Sequence, residues 1–263
     1  MILKNKIAII HGAGGDIGGA VARAFAREGA KLFLSGRNLR SVEALAADIE
    51  SSGGSAEAAQ VDALDEQAVE KYVGGVAEKA GRIDISFNAI SVAKELTHKV
   101  PLMELSEAHF SLPISTYTRA NFLTARSAAR RMVAKRSGVI LMITGTPGRA
   151  GFANVGGTGP AYAALVGLTR SLSAELGPQG VRAVCLMPNA VPETATIREN
   201  FERYAKALNI TRAQFQAQVE SMTHLKRLTT LAELANTAAF LASDLASAMT
   251  GTVVNLSGGG VAD

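Results

Sequence analysis

The sequence predicts an α/β protein of one domain, a doubly wound parallel sheet of about seven strands with helices on both faces. Three observations carry this prediction. Short apolar runs bounded by turn residues recur along the 263-residue chain. Segments of helical periodicity separate them, for instance Val42, Leu45, Ala46 and Ile49, or Val69, Tyr72, Val73 and Val76. No low-complexity linker divides the chain. Strand and helix alternation at this spacing requires right-handed crossovers, which place helices on both sides of a parallel sheet. A chain of this length fits a single unit with a large core, so residues 1–263 are expected to form one domain.

The first strand, Ile7 to Ile10, runs into a glycine-dense turn and then an amphipathic helix. Glycines let backbone N–H groups approach a pyrophosphate closely, and the first turn of the helix offers unpaired donors with partial positive charge. A dinucleotide is therefore expected against Gly12, Gly14, Gly15, Asp16, Ile17 and Gly18. Asp16 is the odd member, because two unit charges roughly 6 Å apart repel by about 3 kcal/mol at an effective dielectric near 20. Its ordinary alternative is to cap the helix starting at Ile17.

The later strand ends extend this surface. The second strand, Lys31 to Leu34, closes on Ser35, Gly36, Arg37 and Asn38, with no acidic residue to accept ribose hydroxyls. Arg37 suits a 2′-phosphate, which favours NADP(H) over NAD(H). The third, Ala56 to Val61, leads to Asp62, a candidate acceptor for the adenine amino group, and to Asp65, a helix cap. The fourth, Ile83 to Phe87, ends at Asn88 and Ala89, where the Asn88 amide can donate and accept beside a cofactor or simply hold a turn. The fifth, Val139 to Ile143, precedes Thr144 and Thr146. The sixth, Val181 to Met187, precedes Pro188 and Val191. Between it and the last strand, Thr252 to Leu256, residues 192–228 form a mostly helical insertion with Glu199, Phe201, Tyr204, Phe215 and Met222. It reads as a lid over a substrate pocket, with a dimer contact as the alternative.

Composition narrows the function classes. Charged residues make up 19% and hydrophobic ones 48%, the balance of a globular protein. No apolar run approaches the roughly 18 residues of a membrane span, and Met1 to Lys4 leads straight into a strand, so a cytoplasmic protein without membrane contact is expected. The net charge of +4 concentrates only at Arg130, Arg131, Lys135 and Arg136. Those cations fall near a predicted helix end, where they favour the dipole, and read as a solvated face and not a nucleic-acid patch. Cys185 is the sole cysteine, which excludes an internal disulfide. His11, His98, His109 and His224 are too scattered to predict a metal site.

Taken together these residues resemble the short-chain dehydrogenase/reductase family over nearly the whole chain, which implies a Rossmann-like fold. His11 and Gly12 through Gly18 are similar to its glycine motif, with His for the usual Thr and Asp16 for the middle glycine. Asn88 to Ser91 is similar to its Asn-Asn-Ala-Gly turn, and Pro188 with Asn189 stands for its Pro-Gly step beside the nicotinamide. Leu231 to Asn236, Ala248 to Gly251 and Ser257 to Gly259 resemble its C-terminal end. The resemblance implies catalysis by a serine, a tyrosine and a lysine four residues after the tyrosine. Tyr162 matches the tyrosine, and Asn121 the asparagine that holds a water in a proton relay. The lysine position is Val166 and the serine position Gly145. Thr144 or Thr146 is a candidate replacement hydroxyl, with loop hydrogen bonding as its ordinary role. Arg170 lies two helical turns beyond Tyr162, roughly on its face, but too far along to replace the lysine at the ribose; Tyr117, Lys94, His98 and Lys99 lie in or near the segment after the fourth strand, and none has a spacing that singles it out. The family implies a homotetramer or homodimer built on the helices after Pro113 and from Thr158. Two readings follow: an NADP(H)-dependent oxidoreductase acting on a small carbonyl or alcohol substrate, and a non-catalytic binding module on the same fold.

Overall fold

Strands β1 (Ile7–His11), β2 (Lys31–Gly36), β3 (Ser55–Gln60), β4 (Ile85–Asn88), β5 (Gly138–Ile143), β6 (Val181–Pro188) and β7 (Val253–Leu256) form one sheet in the order β3-β2-β1-β4-β5-β6-β7. All neighbouring pairs are parallel, with Ile9 opposite Phe33 and Ser86, and His11 opposite Ser35 and Asn88. This computed structural model describes residues 1–90 and 100–262. The chain reverses its winding between β1 and β4, and in such sheets the crevice outside the carboxyl ends of the strands at that point takes the ligand.

Helices α1 (Asp16–Arg27), α2 (Leu39–Ser51) and α8 (Leu231–Ala242) cover one face, and α3 (Glu66–Ala80), α4 (Glu107–Lys135) and α5 (Thr158–Leu176) the other. Alternation along each strand feeds two cores. Ala8 and Ile10 of β1 pack with Val21, Phe25 and Leu234, whereas Ile9 packs with Val69, Val73 and Ala125. The expected strands all form, with small shifts at their ends. Val61 and Ile83 are buried apolar residues but lie outside the ladder. Ile83 is followed by Asp84, whose carboxylate accepts from the Ile7 N–H at 2.7 Å and so closes the foot of β1.

Helix starts follow the capping chemistry of their sequences. The Asp65 carboxylate accepts from the N–H groups of Gln67 and Ala68, as expected. Thr230 and Glu233 form a reciprocal capping box on α8. The insertion between β6 and α8 contains α6 (Ala195–Ala207) and α7 (Arg212–Ser221). Phe215 meets Phe201 edge-on at 5.3 Å and stacks with Tyr204 at 5.5 Å. These aromatic residues hold the two helices together. No helix among the described residues is long and apolar enough to cross a membrane.

Candidate functional site

A cavity of about 370 Å³ opens at the carboxyl ends of β1, β4, β5 and β6, at the reversal point of the sheet. One wall is the glycine turn at Gly15 to Gly18, the opposite wall is α6, and Tyr117 and Tyr162 lie between them. The turn's own close packing requires glycine at two of its positions. Gly12 has φ +75°, and a Cβ there would stand 2.6 Å from the Ala89 carbonyl oxygen. A Cβ on Gly18 would press into the Gly12 carbonyl oxygen. Bare backbone is thus required where the turn meets the end of β4.

Asp16 corrects the expectation of a helix cap. The helix starts at Asp16 itself, its N-cap is Gly15, and no side chain caps it. The Asp16 Oδ2 instead accepts from the Ala195 N–H of α6 at 2.7 Å. Arg37 and Asp62 are exposed at the ends of β2 and β3 and do not line the cavity. The Asp62 carboxylate accepts from the Leu64 N–H at 3.0 Å, holding its own turn.

Polar groups are buried below the turn. His11 Nδ1 lies 2.9 Å from Ser35 Oγ, and its ring meets Tyr72 edge-on at 6.1 Å. His11 Nε2, Ser86 Oγ, both amide atoms of Asn88 and Asn121 Oδ1 find no hydrogen-bond partner among the described residues. Buried polar atoms of this kind are satisfied by water or ligand. Asn121 Nδ2 donates to the Tyr117 carbonyl one turn earlier at 3.0 Å.

Burial pushes the His11 imidazole down to about 4. The unfolded chain therefore binds a proton near pH 6.5 that the folded chain refuses until about pH 4, so stability falls as pH drops through that window. The loss is about 3 kcal/mol. Denaturant unfolding at pH 7 and pH 4 is expected to show this component in the native chain and not in His11→Thr; equal pH dependence in both would refute it. Burial pushes the Cys185 thiol of β6 up to about 12, which keeps it unreactive.

The two threonines are committed elsewhere. Thr144 lines the cavity, but its hydroxyl donates to the Tyr162 backbone carbonyl at 2.9 Å. Thr146 is buried and donates to Asn189 Oδ1 at 3.3 Å. Tyr162 faces Tyr117 edge-on with ring centroids 5.4 Å apart. The adjacent Tyr117 phenol and burial together raise the Tyr162 hydroxyl well above its ordinary value. A Cβ on Gly145 would lie 2.7 Å from Tyr162 Cε2, so the ring occupies the space of the missing serine side chain. Val166, half-buried, follows one turn later on the same helix.

Pro188 and Val191 line the cavity as expected, and Asn189 joins them. Sequence reasoning missed Thr194, which caps α6 by accepting from the Ile197 N–H and donating to the Val191 carbonyl. It also missed Thr196, Asn200 and Arg203, which stand on the inward face of α6 beside Glu199, a residue named with the lid. A spacing of three and four residues between polar side chains was the available signal. Phe201, Tyr204 and Phe215, named with the lid, do not line the cavity. Lys94, His98 and Lys99 lie outside the described residues. Among the described residues no group of three or more His, Cys, Asp or Glu side chains is placed to hold a metal ion.

A family model described as enoyl-(acyl carrier protein) reductase matches residues 12–260. The chain is 30% identical over 258 residues to an uncharacterised oxidoreductase, YxjF, of Bacillus subtilis, covering 98% of each. It is 30% identical over 257 residues to levodione reductase of Leifsonia aquatica, covering 97% of this chain and 94% of that one. Among solved structures, sorbitol-6-phosphate 2-dehydrogenase SrlD of Erwinia amylovora superposes with a TM-score of 0.90 at 28% identity, over 97% of this chain and 100% of the other.

Proposed function

The chain belongs to the short-chain dehydrogenase/reductase family, and on that premise we propose that it is an NADP(H)-preferring reductase of a small carbonyl substrate with Tyr162 as proton donor. The observation that carries this reading is the Tyr162 phenol in the cavity, kept protonated by Tyr117 and burial. A bound nicotinamide dinucleotide supplies the hydride. Gly12 to Gly18 would hold its diphosphate, with Asn88 and Ala89 beside it at the end of β4, and Pro188 and Val191 would line the nicotinamide part of the site.

Tyr162 then holds the proton that the substrate oxygen needs. A phenol without a neighbouring cation is a poor base at neutral pH but a competent acid. Val166 therefore penalises alcohol oxidation more than carbonyl reduction. The polar face of α6 supplies the far wall of the substrate pocket, and residues 192–228 act as its lid. The non-catalytic reading is less favoured, because the relatives carry oxidoreductase names and Tyr162 keeps its place in the cavity.

Arg37 supports the preference for NADPH, since it is exposed where the second strand ends and the Ser35 to Asn38 stretch there carries no acidic residue. Calorimetric titration is expected to give tighter binding of NADPH than of NADH. Arg37→Ala is expected to weaken NADPH by roughly tenfold or more while leaving NADH unchanged. Equal affinities in the native chain would discard the 2′-phosphate argument.

A further inference from the structure

Asp16 joins two parts of the chain that lie 179 residues apart. It stands at the first position of α1, yet its carboxylate turns away from that helix and takes the first N–H of α6 at 2.7 Å. The Thr194 hydroxyl serves the Ile197 N–H, two residues further on, so the two caps divide the free donors of α6 between them. The positive end of the α6 dipole suits the carboxylate charge. The bond spans the mouth of the cavity, because the glycine turn forms one wall and α6 the other.

The rest of α6 is held differently. Phe201 and Ala205 are buried, and Phe215 of α7 packs on Phe201 and Tyr204, so the far half of the helix is fixed by apolar contact. Its first turn carries Ala195, Thr196, Ile197 and Arg198, none of them buried. The buried Thr194 anchors the start of the helix to Val191, and Asp16 adds the tie from this turn to the glycine turn.

We propose that Asp16 is a positioning residue that tethers the substrate-pocket wall α6 to the cofactor turn. This accounts for a carboxylate in an anion-binding turn: its charge is engaged by the α6 amide and helix end instead of facing a diphosphate unopposed. The tether couples the two halves of the site, since a shift of the glycine turn is transmitted to the helix that carries Glu199, Asn200 and Arg203.

Hydrogen exchange followed by mass spectrometry tests this on the full chain without added cofactor. In Asp16→Ala, peptides covering residues 195–203 are expected to exchange roughly tenfold faster, the loss of one charge-assisted hydrogen bond at a local opening. Peptides of β5 and β6 are expected to keep their native rates, which separates loss of the tether from loss of the fold. Asp16→Asn keeps a carbonyl acceptor and is expected to stay close to the native rate, a rescue that a purely packing role would not require. Should Asp16→Ala fold poorly, Asp16→Gly gives a second tetherless chain at a position where glycine is readily accommodated. Native exchange rates over 195–203 in a folded Ala or Gly variant would overturn the tether. The measurement needs no substrate, so its failure leaves the proposed reductase untouched, and absence of turnover leaves the tether untouched.

Discussion

Replacing Tyr162 by Phe is expected to lower carbonyl reduction by at least roughly 100-fold, the usual contribution of a positioned general acid. The phenyl ring still fills the space against Gly145 and faces Tyr117, so the cavity keeps its shape. NADPH affinity measured by titration is expected to change by less than about threefold. The pH profile follows from the raised hydroxyl of Tyr162. The proton-bearing form is the active one for reduction, and it persists to a pH above the ordinary tyrosine value near 10. Reduction should therefore show no loss from this group across the neutral range, and alcohol oxidation, which needs the phenolate, should rise only in strong alkali. A Phe variant that keeps a tenth or more of the native rate removes Tyr162 from the role of acid.

The sheet was legible because each strand is a short apolar run and each crossover has helical period. Strands β3 and β4 show the limit of that signal. Val61 and Ile83 are as apolar as their neighbours and are buried, but burial extends beyond the ladder, after its last pair in β3 and before its first in β4. The glycine turn was legible for a stronger reason: Gly12 adopts positive φ and meets Ala89 backbone, a contact that excludes any side chain. What the sequence could not show is which groups meet across the cavity. Asp16 looks locally like a cap, and only the fold brings Ala195 to it. Thr144 and Thr146 are suitable hydroxyls by type, yet each finds a closer internal acceptor. The inward face of α6 has the right spacing, but spacing alone does not say toward which surface a helix turns.

The sharpest consequence concerns the two missing catalytic positions, Gly145 and Val166. From sequence, restoring serine and lysine together is expected to raise turnover. The structure separates them. Val166 lies four residues after Tyr162 on α5, so a lysine there projects along the same face. A cation beside the phenol favours its ionised form, and each unit by which the pKa falls multiplies the phenolate present at neutral pH by about ten. Val166→Lys is therefore expected to raise alcohol oxidation at pH 8 by at least roughly tenfold, with a smaller change in carbonyl reduction. Gly145→Ser is expected to act in the opposite sense. Its Cβ would stand 2.7 Å from Tyr162 Cε2 and 3.1 Å from Cδ2, and the ring is held from the other side by Tyr117. Either the ring moves or the strand end does, at a cost of about 1–3 kcal/mol for overpacking. The serine variant should therefore melt several degrees lower and reduce its substrate more slowly, because the displaced phenol no longer meets the substrate oxygen. Steady-state rates in both directions and a thermal melt on the two single variants check this. If Gly145→Ser gains activity without losing stability, Tyr162 does not occupy the serine space. If Val166→Lys leaves oxidation unchanged, the missing cation is not what limits this site as a base.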